Sequence, residues 1–411
     1  IETSCDDTAA AVVRSDGKIL SNVVVSQHKL HQDFGGVVPS LARQAHQDRI
    51  DEVVEEALSQ ADLCSVEEVD GIAVTRGPGL EICLRVGLNK AQELARVHSK
   101  PLALVHHLEA HCLISRIALE KNHEDQEDDS EDPIAIANIL PHCRPKVDFP
   151  FLTFLASGGH TSLLLCHELG KYEVLGATVD DALGEALDKA ARLLGLSSSF
   201  NGGGVAVEAA AQRFIGTLPE HCRLTVPLLR QRNCDFSYSG LKNGFRMAVE
   251  KAHAKAGTGE GEVLSGQEVA ALCTGFQEAA FRHAEDRLHR AIGYIEDNRE
   301  ELNLDVSSLV ICGGVAANQE LRRRLLRVLD YTNDKKGDGG ALWRPFFPPP
   351  RLCTDNGVMV AWAGVEHFCQ SISSPVASSA TETLQPLPRW TLGPHVNRNN
   401  DAVFRKRVKY S

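Results

Sequence analysis

A chain of 411 residues with 43% hydrophobic content is long enough for two domains of ordinary size, and no apolar run reaches the roughly 20 residues of a membrane-spanning helix, so no membrane span is expected. The formal charge of −12 is uneven: residues 120–132, "EKNHEDQEDDSED", hold eight acids against one lysine and leave about −5 for the rest, so a polyanionic partner is not excluded. The twelve cysteines stand singly, with no C-x-x-C pair, as small core residues of a reducing compartment do. Basic residues gather in "LRRRLLR" (321–327) and "FRKRVKY" (404–410), each readable as a nucleic-acid contact or as a solvated face. The chain opens on Ile1 and runs straight into a strand pattern, so a removed leader is expected and the compartment stays open at this end.

In chain order, "AAAVVRSDGKILSNVVV" predicts a hairpin turning at Asp16-Gly17, with Asp6 and Asp7 in an earlier tight turn. Residues 43–61 predict an amphipathic helix with its stripe at Ile50, Val53, Val54, Ala57 and Leu58. "VDGIAVTRGPGLEICLRVGLNKAQELARV" predicts strand, glycine-proline turn and helix, and "PLALVHHLEAH" a strand running into a helix. The acidic run and the stretch up to Pro150 lack an apolar period and read as an insertion between lobes. "FLTFLASGGHTSLLLC" (151–166) then repeats the outline of the opening, so a duplicated lobe is expected. Helices are predicted over 181–195 and 267–298, a strand, Gly-Gly turn and helix over 308–329, and a last helix over 355–370. The Ser/Pro-rich remainder reads as a poorly ordered tail.

Three kinds of motif carry chemistry. His107 and His111 of "HHLEAH" are four apart, one turn of a helix, which suits a single ion but supplies only two ligands. Their glutamate is not where the zinc-protease helix places it. Glycine turns follow predicted strands at 76–79, 157–161 and 312–318, with "NGGGVAVE" at 201–208. None is a Walker or dinucleotide loop, yet together they favour a nucleotide cleft. Carboxylates recur at turns: Asp180 or Asp181 as the N-cap of the next helix, Asp188 among apolar neighbours, and Asp355 in "CTDNG" as a possible cap of the last helix.

The ordered motifs "IETSCDDT", "GGVVPSLARQAH", "GPGL", "HHLEAH", "SGGHT", "DDALGEALDKAARLLGL", "CDFSYSGLK", "GGVAAN" and "PPPRLCTDNGVMVAWAG" resemble those of the universal tRNA threonylcarbamoyltransferase family over residues 1 to about 370, most closely its mitochondrial branch. The resemblance implies an α/β fold of the duplicated actin/hexokinase/Hsp70 type (ASKHA), two lobes closing on a central cleft. The expected division is an N-terminal lobe over 1–118, the insertion over 119–149, a second lobe over 150–345, a segment over 346–371 returning to the first lobe, and a tail over 372–411. It implies transfer of a threonylcarbamoyl group from threonylcarbamoyl-adenylate to N6 of the adenosine next to the anticodon in tRNAs reading codons that begin with A, with release of AMP. By the same likeness, His107, His111 and Asp355 hold one divalent ion, Zn or Fe. Leu155, Ala156, Ser157, Gly158 and Gly159 line the substrate, and Asp188, Gly204 and Asn318 hold the adenylate, with the register of "FNGGGV" open by one position. The implied partners are tRNA, a separate adenylate-forming enzyme and a second copy of the chain, and the implied compartment is the mitochondrion.

Adenine's exocyclic amine is a poor nucleophile, so the donor carbonyl must be polarised and the amine held in line. Asp6 and His160 are the candidates to take the amine proton. The family often has Asp-Glu where this chain has Asp6-Asp7, so either a shorter acid acts at Asp7 or only Asp6 matters. An ATP-dependent small-molecule kinase of the same fold is the rival reading. An Hsp70-like binding module would need a peptide-binding domain, for which the tail is too short.

Overall fold

The computed structural model describes residues 1–31, 34, 36–117, 147–196, 202–257, 264–302, 305–336, 341–371 and 384–396. The acidic run 120–132 and the basic stretch 404–410 lie outside the described residues. In chain order the elements begin β1 (Asp7–Val13), β2 (Ile19–Ser26), α1 (His28–His31), α2 (Pro39–Gln60), β3 (Ile72–Gly77), α3 (Glu81–Val97), β4 (Leu102–His106) and α4 (His107–Leu113). They continue with β5 (Phe151–Ala156), β6 (Thr161–Glu168), β7 (Lys171–Ala177), α5 (Leu183–Leu193), α6 (Gly203–Ala211), α7 (Ser239–Ala256), α8 (Gly266–Asp297) and α9 (Arg299–Leu302). β8 (Ser308–Cys312), α10 (Gln319–Asp334), β9 (Arg344–Phe346) and α11 (Gly357–Ser371) complete the order. Two units result: Ile1–Gln27, Val37–Asp148 and Asp355–Thr391 form the first, and His28–Gly36, Phe149–Thr354 and Leu392–Ser411 the second. Relative to the expected boundaries, residues 28–36 group with the second unit, and the return to the first begins at Asp355.

In the first unit, β1 and β2 form the expected hairpin: Gly17 takes φ +91°, and Asp16 Oδ1 accepts the Lys18 N–H. α2 lays Ala42, His46, Ile50, Val53 and Ala57 on one buried stripe, and Val53 and Ala57 pack on Ala10 and Val23 of the hairpin. β3 and β4 pair in parallel, joined by α3, whose buried face is Cys83, Leu84, Gly87, Leu88 and Ala91. Ile1 and Glu2 bridge the two strand pairs. Glu2 pairs antiparallel with Ala9, while Ile1 donates to Ala73 O and accepts from the Thr75 N–H. The spatial order is therefore β2, β1, residues 1–2, β3, β4.

The second unit repeats that order in full. Its sheet runs β7-β6-β5-β8-β9, antiparallel on one side of β5 and parallel on the other. β5 and β6 are almost wholly buried, so they read as continuous apolar runs rather than alternating ones. Leu152, Phe154, Leu163 and Leu165 pack with Leu183, Leu187, Phe245, Phe276 and Phe281 in one core. The duplication expected from two loosely similar hairpins is thus a repeated strand order, with a two-residue bridge standing where the second unit has β5.

Two local expectations are corrected. α5 begins after Ala182 without a side-chain cap, so neither Asp180 nor Asp181 caps it. Asp180 instead accepts from the Ser237 and Ser239 hydroxyls and from the Tyr238 and Ser239 N–H groups, holding the start of α7, 57 to 59 residues away in sequence. Those bonds outweigh its partial burial and keep its carboxyl below the usual range. Asp181 pairs with Lys189 and Lys242. Asp180→Ala is expected to cost about 1–2 kcal/mol, as a lost cap does, read as a lower urea midpoint at unchanged slope. An unchanged midpoint refutes the capping role. The second correction concerns the tail: its described part, 384–396, packs back on the fold. Leu387 donates to Arg76 O in the first unit, and in the second Val174 donates to Pro394 O and accepts from the Val396 N–H.

Candidate functional site

The first cluster lies where β4 becomes α4. His106 ends the strand and caps the helix, its Nδ1 accepting the Leu108 N–H at 3.1 Å while its Nε2 donates to Trp390 O at 3.1 Å. Burial lowers His106 to about 4, so it stays neutral and suits both bonds. Its neighbours at positions 107 and 111 emerge one turn apart, their rings 4.8 Å between centroids and perpendicular. Asp355 arrives from just before α11. His111 Nε2 lies 3.1 Å and His107 Nε2 3.6 Å from Asp355 Oδ1. The cap expected of Asp355 is supplied to α11 by the neighbouring Asn356, whose Oδ1 accepts the Met359 N–H at 2.9 Å. α11 can sit this close to β1 because Gly357 has no side chain, since a Cβ there would fall 2.5 Å from Ala10 C.

The rest of the cluster orients these groups. Glu2 Oε2 stands 3.3 Å from His107 Nδ1 and accepts the Thr75 hydroxyl at 2.5 Å, while Oε1 accepts the Ser4 N–H. A carboxylate beside Nδ1 would keep the proton on that nitrogen and free Nε2 for a ligand when the ring is neutral. Burial opposes a charge on His107, but Asp355 and Glu2 outweigh it and lift the imidazole to about 9, so this spot favours a cation. His111 is fully buried, and its Nδ1 has no hydrogen-bond partner among the described residues. His107, His111 and Asp355 offer three ligand atoms within 4.8 Å of one another, a set able to hold a metal ion. Burial lifts Asp7 to about 7, with Asp355 and Asp6 adding to the rise and a bond to Ser26 opposing it.

The second cluster belongs to the second unit. The glycine turns "SGGHT" and "CGGVAAN" follow β5 and β8, adjacent parallel strands paired as far as Leu155 and Cys312. Ser157 and His160 close the first turn: the Ser157 N–H donates to His160 O at 2.8 Å, and the His160 N–H to Ser157 Oγ at 3.1 Å. Ser157 O then accepts the Gly184 N–H, seating the turn on the start of α5. Leu155 and Ala156 are buried in β5, whereas Gly158 and Gly159 are exposed. A Cβ added to either glycine meets nothing within 4 Å, so the fold does not require glycine there. By contrast, a Cβ on Gly184 would fall 2.5 Å from Ser157 O, and one on Gly313 2.3 Å from Ala156 O.

Asp188, on α5, accepts the backbone N–H groups of Gly203 and Gly204, and burial nevertheless raises its carboxyl. A Cβ on Gly203 would strike Asp188 Oδ1 at 2.6 Å, while one on Gly204 meets only Leu187 at 3.8 Å. Gly203 is thus the packing glycine and Gly204 the open one. Asn318 caps α10 through Oδ1, and its buried Nδ2 has no partner among the described residues. The arginines of "LRRRLLR" are engaged: Arg323 and Arg324 pair with Glu320, Arg324 and Arg327 with Glu285, and Arg322 donates to Ala316 O. That favours the helix-face reading of this stretch.

The sequence pattern pointed to no role for Glu2, Asn356 or Trp390. No spacing rule connects Glu2 with His107, 105 residues on, or His106 with Trp390, 284 residues on.

A family model described as TsaD, tRNA N6-adenosine threonylcarbamoyltransferase, matches residues 18–127 and 134–362. The chain is 41% identical over 398 residues to a probable mitochondrial tRNA N6-adenosine threonylcarbamoyltransferase of Arabidopsis thaliana, covering 96% of this chain and 74% of that one. It is 40% identical over 396 residues to the tRNA N6-adenosine threonylcarbamoyltransferase of Rhizobium leguminosarum bv. trifolii (strain WSM2304), covering 95% and 93%. Among solved structures, full-length HypF in its phosphate- and nucleotide-bound form is similar at 12% identity and a TM-score of 0.46, covering 91% of this chain and 48% of that one.

Proposed function

This chain belongs to the tRNA N6-adenosine threonylcarbamoyltransferase family, and from that membership we propose which of its residues carry the reaction. It is an acyltransferase: the threonylcarbamoyl group of threonylcarbamoyl-adenylate passes to N6 of the adenosine adjacent to the anticodon, in tRNAs reading codons that begin with A. The N6–carbon bond forms, the carbon–oxygen bond to the phosphate breaks, AMP departs with that electron pair, and one amine proton goes to a base. The named relatives support this reading and not the small-molecule kinase.

His107, His111 and Asp355 would hold a divalent ion through two Nε2 atoms and a carboxylate oxygen, the observation that carries the proposal. The donor set fits, because two imidazoles and one carboxylate suit zinc or iron and leave positions open. When bound, such an ion supplies Lewis-acid polarisation and a template for donor oxygens. Glu2 would hold the His107 proton on Nδ1 and turn Nε2 toward the ion. Ser157 to Gly159 would lie against the donor, since the open face of this turn admits an approach that side chains would block. Asp188, Gly204 and the unpartnered Nδ2 of Asn318 would hold the adenylate's sugar and base.

Asp6 or His160 would take the amine proton. Single-turnover transfer from preformed adenylate tests this: Asp6→Asn or His160→Ala should slow transfer by about 10²-fold or more, and near-normal rates in both remove them and leave Asp7 next in line. The mitochondrial compartment is supported by the Arabidopsis relative's name. A homodimer and a separate adenylate-forming enzyme rest on family resemblance alone. Incubation of the purified chain with threonylcarbamoyl-adenylate and tRNA, against ATP with sugars, tests the reaction: modified adenosine supports it, and phosphorylated sugar overturns it.

A further inference from the structure

The second unit holds another convergence of ligand-type side chains. His221 and Cys222 lie on the 3-10 turn Glu220–Cys222, and Glu268 in the first turn of α8. His221 Nε2 bonds Glu268 Oε1, and the ligand atoms of His221, Cys222 and Glu268 all lie within 4.8 Å of one another. We infer that His221, Cys222 and Glu268 form a second metal site, selective for a zinc-type divalent ion, which staples the 3-10 turn to the start of α8.

The site is preorganised. Cys222 O rests against Gly275, where a Cβ would fall 1.9 Å away, so the turn lies flush on α8 two helical turns beyond Glu268. The Cys222 N–H donates to Pro219 O at 3.0 Å, which fixes the turn itself. Ser265 caps α8 by accepting the Glu268 N–H. The Glu268 side chain is directed at His221. Cys222 is buried, whereas His221 and Glu268 are half-buried, so an ion can enter from their side.

The chemistry selects the ion. A thiolate beside an imidazole and a carboxylate favours zinc or cobalt over magnesium or calcium, which prefer all-oxygen sets. One thiolate and one carboxylate together balance the charge of a divalent ion, with the imidazole neutral, and uptake releases the thiol proton to solvent. Without an ion, burial lifts the Cys222 thiol to about 11, with Glu268 adding to the rise, so this cysteine is a poor nucleophile at neutral pH. The His107 set contains no cysteine, so the two sites differ in spectroscopic signature.

The test uses the full chain carrying His107→Ala and His111→Ala, stripped with chelator and dialysed against micromolar Zn²⁺ or Co²⁺. The expected result is retention of one ion per chain, a thiolate-to-cobalt charge-transfer absorption in the near ultraviolet, and a higher Tm with Zn²⁺. Adding Cys222→Ser should abolish the absorption, and adding Glu268→Gln should weaken retention by about 10-fold or more. Circular dichroism confirms that each variant is folded. The inference is overturned if the His107→Ala/His111→Ala protein retains no ion, or if absorption and retention survive Cys222→Ser. None of these readouts uses transfer activity, so the outcome is independent of the proposed reaction.

Discussion

His107→Ala and His111→Ala are each expected to lose threonylcarbamoyl transfer and ion binding at the His107 set together, with single-turnover rates falling by about 10³-fold or more. Both Nε2 atoms converge on one Asp355 oxygen, at 3.6 and 3.1 Å, so removing either ring leaves at most two ligands. Glu2→Gln is the graded companion. It keeps the shape of a side chain that receives the Thr75 hydroxyl and Ser4 N–H, but it replaces the carboxylate beside His107 Nδ1 with an amide. Loss of such an orienting carboxylate weakens metal affinity by about 10- to 100-fold. Ion binding followed by isothermal titration in protein also carrying Cys222→Ser reads the His107 set alone. Full transfer by protein freed of metal would sink the assignment, as would a Glu2→Gln affinity equal to that of the unsubstituted protein.

Gly159→Val is expected to leave stability almost unchanged and to raise KM for threonylcarbamoyl-adenylate by about 10-fold or more, the order of loss when a misplaced group obstructs binding. Nothing lies within 4 Å of a Cβ at Gly158 or Gly159, and neither has a left-handed φ. A side chain there strains no contact of the fold, and it reduces the freedom of the unfolded chain. Gly313→Ala is the contrast. Its φ is +91° and its Cβ would fall 2.3 Å from Ala156 O, so it should cost about 2–4 kcal/mol of stability. Thermal melts and steady-state kinetics on the two variants separate a ligand-facing glycine from a fold-required one. A Gly159→Val enzyme with unaltered KM and kcat would remove the turn from the donor site.

Much of the fold was legible because it depends on local periodicity. The α2 stripe, the Asp16-Gly17 turn and the strand-to-helix passages at β3–α3, β4–α4 and β8–α10 all emerge within windows of about 20 residues, where side-chain period and turn chemistry agree. Capping was legible in kind and wrong in address. Asp180 does cap a helix, but α7 rather than α5, because a carboxylate satisfies whichever N–H groups the fold brings to it. Asp355 and Asn356 show the same limit at one remove: adjacent polar residues before α11, of which the second caps and the first faces the histidines.

The sequence alone set two histidines on one face of a helix, since 3.6 residues per turn brings positions four apart together. It also determined the family, through motifs whose order survives any folding. Of the distant groups that meet those histidines, Asp355, 244 residues after His111, was expected only through the family resemblance, and Glu2, 105 residues before His107, is brought in by the tertiary structure alone. The same holds for His221, Cys222 and Glu268, two neighbours in sequence joined by a glutamate from another element. Periodicity constrains residues a turn or two apart. The meeting of distant segments is fixed by which surfaces pack, and by small residues such as Gly357 and Gly275 that let backbones touch.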